Sequence, residues 1–112
     1  MKKIYLSLLV LLLFTATVYA QDLPQITIVN NTGYVITQVF ISSSGDGSWG
    51  VNRLLEASLL RGHSVTLDFP FPLDAANRYN IRLTDSDGDT YTKINIRTSN
   101  HNRIVFTIDD LD

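Results

Sequence analysis

Asp87-Gly88 lies inside the stretch Arg78–Arg97, which reads as two strands around a tight turn. That dipeptide constrains the chain more than any other feature. A two-residue type I′ loop needs φ > 0 at both central positions, and Asp-Gly satisfies that need at little steric cost. With Asp87 and Gly88 as the loop, Ser86 opposes Asp89, Tyr79 opposes Ile96, Ile81 opposes Ile94, and Leu83 opposes Thr92. This register collects an apolar face. A shift of one residue would set Ile81 against Lys93 and mix the faces, so the side-chain period of two selects the unshifted pairing. The other face then carries Arg78 opposite Arg97, Asn80 opposite Asn95, Arg82 opposite Lys93, and Thr84 opposite Tyr91. Directly opposed like charges are mildly destabilising. They call for free solvation or an anionic neighbour.

The hairpin sits late in a chain of 112 residues. The chain starts with Met1-Lys-Lys3, an apolar run Ile4–Phe14, and Thr15–Ala20, with small residues at Val18 and Ala20. This is the pattern of a secretory signal peptide, with cleavage expected after Ala20 and a single domain over residues 21–112. The expected destination is the periplasm or the extracellular space. The apolar run is short for a membrane span. With no cysteine in the sequence, neither a lipid-anchored cysteine nor a disulfide is expected. The chain carries 9 Lys and Arg against 11 Asp and Glu; setting aside Lys2 and Lys3 leaves 7 basic residues and a net charge of −4. That balance argues against nucleic acid as a partner.

Along residues 21–112, Gln25–Val29 alternates as a strand. Asn30–Gly33 is a turn, and Tyr34–Ser42 is the longest β-rich run. Both faces of that run are largely apolar, so a central place in a sheet is expected for it. Ser43–Gly50 is a glycine-rich loop holding the only tryptophan, Trp49. Val51–Leu60 is leucine-rich, long enough for a helical turn but not for a stable helix. His63–Phe69 alternates, with Val65, Leu67 and Phe69 inward, and Pro70 and Pro72 end it. Leu73–Asn77 is a loop, and after the hairpin come a turn at Ser99–Asn102, a strand at Arg103–Ile108 and an acidic tail, Asp109–Asp112. Short strands, regular turn signals and no helix of useful length predict an all-β fold. The expected architecture is a single antiparallel β-sandwich, immunoglobulin-like or similar, of about six to seven strands. Ile81, Leu83, Ile94 and Ile96 are expected to share one core layer with Val65, Leu67, Ile104 and Phe106.

Leu60–Leu67 resembles the strand entry of immunoglobulin-like domains. A wider set of strings, Ile28–Tyr34, Val39–Ser42, Ser48–Gly50, Asn52–Leu55, Gly62–Val65 and Tyr79–Arg82, resembles a family of small exported, uncharacterised bacterial all-β proteins. Relatives in that family often have a cysteine where this chain has Arg78. The resemblance implies export and an all-β domain, and it carries over no catalytic residues.

Several constellations could bear function. Asp85, Asp87 and Asp89 place three carboxylates around the turn, a donor type suited to Ca²⁺. The spacing departs from the EF-hand loop, because glycine stands fourth and Ile96 occupies the twelfth position. Asp46 could add a ligand only if the fold brings it near. The same aspartates equally suit plain turn geometry. Arg78, Arg82, Lys93 and Arg97 gather on one face and could meet an anionic protein, an anionic glycan, or the chain's own tail. Trp49 could stack on a ligand or close one end of the core. His63 and His101 lack partners at metal or triad spacing, and no nucleophile–base–orienter set is present, so an enzyme is not expected. Asn30-Asn-Thr32 fits a glycosylation sequon placed in a turn. The leading expectation is an exported, non-catalytic binding or envelope-associated module. A calcium-stabilised domain is the second reading, and a small secreted enzyme or enzyme inhibitor the third.

Overall fold

The computed structural model describes residues 24–55, 57–72, 78–98 and 102–112. The expected leader, Met1–Ala20, lies outside them, as do loop 73–77 and His101. The described chain is all-β. Six strands run in order as β1 (Gln25–Asn31), β2 (Ile36–Ser43), β3 (Ser64–Asp68), β4 (Arg78–Asp85), β5 (Thr90–Arg97) and β6 (Arg103–Thr107), followed by a short 3₁₀ turn at Ile108–Asp110. They form two three-stranded sheets, β3-β1-β6 and β2-β4-β5. No helix among the described residues is long and apolar enough to cross a membrane.

Alternation explains which residues go inward. Ile26 and Ile28 of β1, Val39 and Ile41 of β2, Tyr79, Ile81 and Leu83 of β4, Tyr91 of β5 and Phe106 of β6 all belong to one buried cluster. Val65, Leu67, Ile96 and Ile104 pack against that cluster half-buried. Each fully buried aliphatic contributes about 1.5–3 kcal/mol. Aromatic contacts add shape: Phe69 meets Tyr79 edge-on with ring centroids 5.0 Å apart.

The arrangement departs from expectation in four respects. First, one pair is parallel: β1 runs antiparallel to β3 but parallel to β6. Second, β2 is not central. It flanks β4, which holds the middle of its sheet. Its other edge is covered by a loop rather than by a second neighbouring strand. Ile36 and Leu59 exchange backbone hydrogen bonds at 2.9 and 2.8 Å, Arg53 N–H donates to the Val39 carbonyl, and Val39 N–H donates to Asn52 Oδ1. The leucine-rich segment after Trp49 therefore closes an edge, as exposed edges require. It forms no helix among its described residues.

Third, the hairpin loop has three residues, not two. Gly88 N–H donates to the Asp85 carbonyl at 3.0 Å, and Asp85 N–H donates to the Asp89 carbonyl at 2.9 Å. Gly88 has φ +88°, but Asp87 is not in the left-handed region, so a type I′ turn is ruled out. The cause is the Asp85 side chain. Its Oδ1 accepts from Asp87 N–H and Asp89 N–H, both at 2.9 Å, which favours aspartate at the first position of the turn and glycine at the fourth. Near the turn the pairing is therefore shifted by one: Ile81 opposes Lys93, Arg82 opposes Thr92, and Leu83 opposes Tyr91.

Fourth, a bulge undoes the shift. Between Ile81 and Tyr79 the strand β5 holds one extra residue, and Tyr79 again faces Ile96 while Arg78 faces Arg97. Asn95 absorbs the excess with φ +55°, a conformation asparagine tolerates better than most residues. Asn80 Oδ1 accepts from Asn95 N–H at 2.9 Å and holds the bulge. Ile94, expected in the core, is instead 64% exposed, and Tyr91 takes the inward place.

Candidate functional site

The outer face of the β2-β4-β5 sheet is built from the residues that alternate away from the core. Arg78, Asn80 and Arg82 of β4 stand there, with Phe40 of β2 opposite Arg82 and Thr92 of β5 on its other side. Trp49 lies over this face, not within the core. The Arg82 guanidinium carbon sits 4.6 Å from the Trp49 ring centroid, a cation–π stack. Arg82 Nε also donates to Thr92 Oγ1 at 3.1 Å.

The four basic residues do not form one face. The shifted register turns Lys93 inward, to the same side as Ile81. There its ammonium reaches across the sheet margin to the Phe106 ring, at 5.5 Å, and to Asp110 Oδ1, at 3.0 Å. Arg82 remains outward and lies 4.0 Å from Asp112 Oδ2. Arg78 and Arg97 stay directly opposed and exposed at the far end of the hairpin. Arg78 donates to the Asn95 carbonyl at 3.3 Å. Neither arginine has an ion pair among the described residues.

The acidic tail is an ordered part of this region. Thr107 caps the 3₁₀ turn, and Asp110 Oδ2 accepts from Thr107 N–H at 2.9 Å. Leu111 then bridges to Tyr91, and Asp112 N–H donates to the Thr90 carbonyl at 2.9 Å. The Asp112 carboxylate accepts from Thr90 Oγ1 and Thr92 Oγ1, both at 2.6 Å. Burial alone would push the Asp112 carboxyl up, but the two threonine hydroxyls and Arg82 outweigh it and hold it below its ordinary value. Thr90 and Thr92 were not evident as site residues in the sequence. Their signal was a Thr-x-Thr alternation on a strand beside basic residues, legible only once the tail was known to pass over it.

Of the aspartates of the turn, Asp85 serves the fold. Asp85 is buried, its Oδ1 is taken by the two turn N–H groups, and its Oδ2 accepts from Tyr91 Oη at 2.9 Å. Each of its oxygens thus accepts a hydrogen bond from within the fold. Asp87 and Asp89 are exposed. Asp46 lies beside Ser43 and Ser44, and Ser44 N–H donates to the Arg78 carbonyl. That is the opposite end of β4, whose 8 residues span roughly 26 Å at about 3.3 Å each. No group of three or more His, Cys, Asp or Glu among the described residues is placed to hold a metal. His63 is exposed.

Asn30 is a hub rather than a surface sequon. It is fully buried; its Nδ2 donates to the carbonyls of Tyr34, Leu59 and Leu60, and its Oδ1 accepts from the backbone and hydroxyl of Thr32. A glycan on that nitrogen is incompatible with the folded chain. A concavity of about 400 Å³ lies beside β3 and is lined by Val51, Arg53, Leu55 and Leu67 among others. Arg53 Nε is buried without a hydrogen-bond partner among the described residues.

No protein-family model, curated protein or solved structure matches this chain.

Proposed function

We propose that this chain is an exported, non-catalytic binding module whose two sheets form a single immunoglobulin-like β-sandwich. Its outer β2-β4-β5 face engages an anionic partner at the cell envelope or beyond. The observation that carries this reading is the Arg78–Arg97 pair: two exposed guanidinium groups directly opposed across two strands, with no ion pair to relieve them among the described residues. Trp49 stacked on Arg82 extends the same face with an aromatic surface, the composition that interfaces for anionic ligands favour. The protein is net acidic, so this basic face is a local feature and not a consequence of overall charge.

The test is retention on an anionic matrix at increasing salt. The wild type is expected to bind at low salt and to elute as ionic strength rises. A variant carrying Arg78→Glu and Arg97→Glu, with unchanged circular dichroism, should flow through. Equal retention of the wild type and this variant would overturn the reading. Periplasmic fractionation followed by N-terminal sequencing tests export, with Gln21 expected as the first residue.

A further inference from the structure

The tail behaves as a ligand does. Leu111 and Asp112, which follow the 3₁₀ turn ending at Asp110, lie along the margin of β5, with Leu111 in an antiparallel bridge to Tyr91 and Asp112 N–H bound to the Thr90 carbonyl. Two carboxylates spaced two residues apart meet two separate polar receptors. Asp110 reaches Lys93, and Asp112 reaches Thr90, Thr92 and Arg82. A backbone margin that gives register, with charged receptors that give side-chain selection, is the physical basis of strand-addition peptide recognition.

We propose that the β5 margin, with Lys93, Arg82, Thr90 and Thr92, is a docking site for a short acidic peptide of Asp-x-Asp pattern, and that the chain's own tail occupies it in cis. This rests on the reading of the protein as a binding module for an anionic partner, and it narrows that partner to a polypeptide. Lys93 and Arg82 lie on opposite faces of the sheet; Asp110, the last residue of the 3₁₀ turn, reaches the first, and Asp112, beyond the bridge at Leu111, reaches the second. A tethered tail is present at an effective concentration on the order of millimolar, so an external peptide must displace it. The tail thereby sets the threshold for a partner.

The protein contains 1 tryptophan, and Trp49 lies over Arg82, so its fluorescence reports on this site. The probe is the synthetic peptide Ile-Asp-Asp-Leu-Asp, titrated into the intact chain and into a chain lacking residues 109–112. The truncated chain should show a saturable change in Trp49 emission, with affinity at least about tenfold tighter than in the intact chain. The peptide Ile-Asn-Asn-Leu-Asn, or the truncated chain with Arg82→Gln, should show none. If truncation unfolds the protein, the full-length variant Asp110→Asn with Asp112→Asn makes the same comparison, and it too should bind the acidic peptide more tightly than wild type. No saturable change in a folded tail-free variant would overturn the proposal. So would an equal response to the asparagine peptide, or a stronger response to an anionic oligosaccharide than to the peptide. Persistent salt-sensitive matrix retention alongside such a result would overturn the peptide site while leaving the broader anion-binding reading in place.

Discussion

Tyr79 and Tyr91 are both fully buried on the inner face of one hairpin, yet the two ends treat them differently. At the turn end, Tyr91 Oη donates to Asp85, whose other oxygen closes the turn. At the open end, Tyr79 Oη is buried with no hydrogen-bond partner among the described residues, and Tyr79 is held by the Phe69 ring. The same side chain is thus part of a satisfied polar network in one place and a shape-filling aromatic in the other. The turn end draws specificity from hydrogen bonds. The open end draws it from packing, and leaves its arginines to the solvent. A buried polar group that is satisfied costs little, and one left without a partner costs about 1–3 kcal/mol.

The largest effect is expected midway between the two ends, where the bulge decides which isoleucine is inward. Ile81→Ala should lower stability by roughly 2–5 kcal/mol through lost transfer energy and a cavity, while Ile94→Ala should stay within about 0.5 kcal/mol of wild type. Urea denaturation of both variants checks this, and comparable losses would contradict the bulged register. Next comes Tyr91→Phe. It strips a donor from buried Asp85 and should cost about 1–3 kcal/mol. Tyr79→Phe removes only an unpartnered hydroxyl, so thermal melts should show it neutral or stabilised by up to about 1 kcal/mol. If both tyrosine variants lose stability equally, the contrast between the ends fails.

Titration sharpens the same contrast. Burial, with the adjacent Asp85 carboxylate, pushes the Tyr91 hydroxyl up from 10.0 to about 12. The unfolded chain therefore releases this proton first, and the contribution of Tyr91 is complete below pH 10 and lost as pH rises toward 12. Stability measured between those values should fall in the wild type, and fall less in Tyr91→Phe. Asp112 gives the smallest effect and the opposite direction. Its carboxyl is held below its ordinary 3.8, so its contribution is present above that value and lost as acid protonates the folded chain below it. Asp112→Asn should flatten a shallow decline in stability at the acid end of a pH series.

Much of this was legible in the sequence. Six strands, their approximate limits and most of the core follow from alternation, because a period of two speaks directly to burial. The loop length was not legible, since Asp87-Gly88 and Asp85 each specify a turn and the dipeptide signal was the more familiar. The carboxylate of Asp85, satisfied by two backbone N–H groups and a tyrosine, outweighed it. The bulge at Asn95 was hidden for a related reason: its cause is the Asn80 side chain on the neighbouring strand, and a cross-strand hydrogen bond leaves no periodic trace. For the site, Arg78 opposite Arg97 was readable, but the inward turn of Lys93 depended on the shifted register. The central position assigned to the second strand failed because a loop can satisfy a strand's free edge as well as another strand can.

The parallel pairing of β1 with β6 has a consequence for the order in which the molecule assembles. β1 is the middle strand of its sheet, and its second neighbour, β6, is the last strand among the described residues. Contacts that join distant parts of a sequence form late, because the intervening chain must be ordered before they yield any gain. A chain growing from its N-terminus carries β1 with one flank unpaired until Arg103–Thr107 arrives. A chain cut short before Arg103 leaves that flank of β1 as an open strand edge of the kind that recruits other chains.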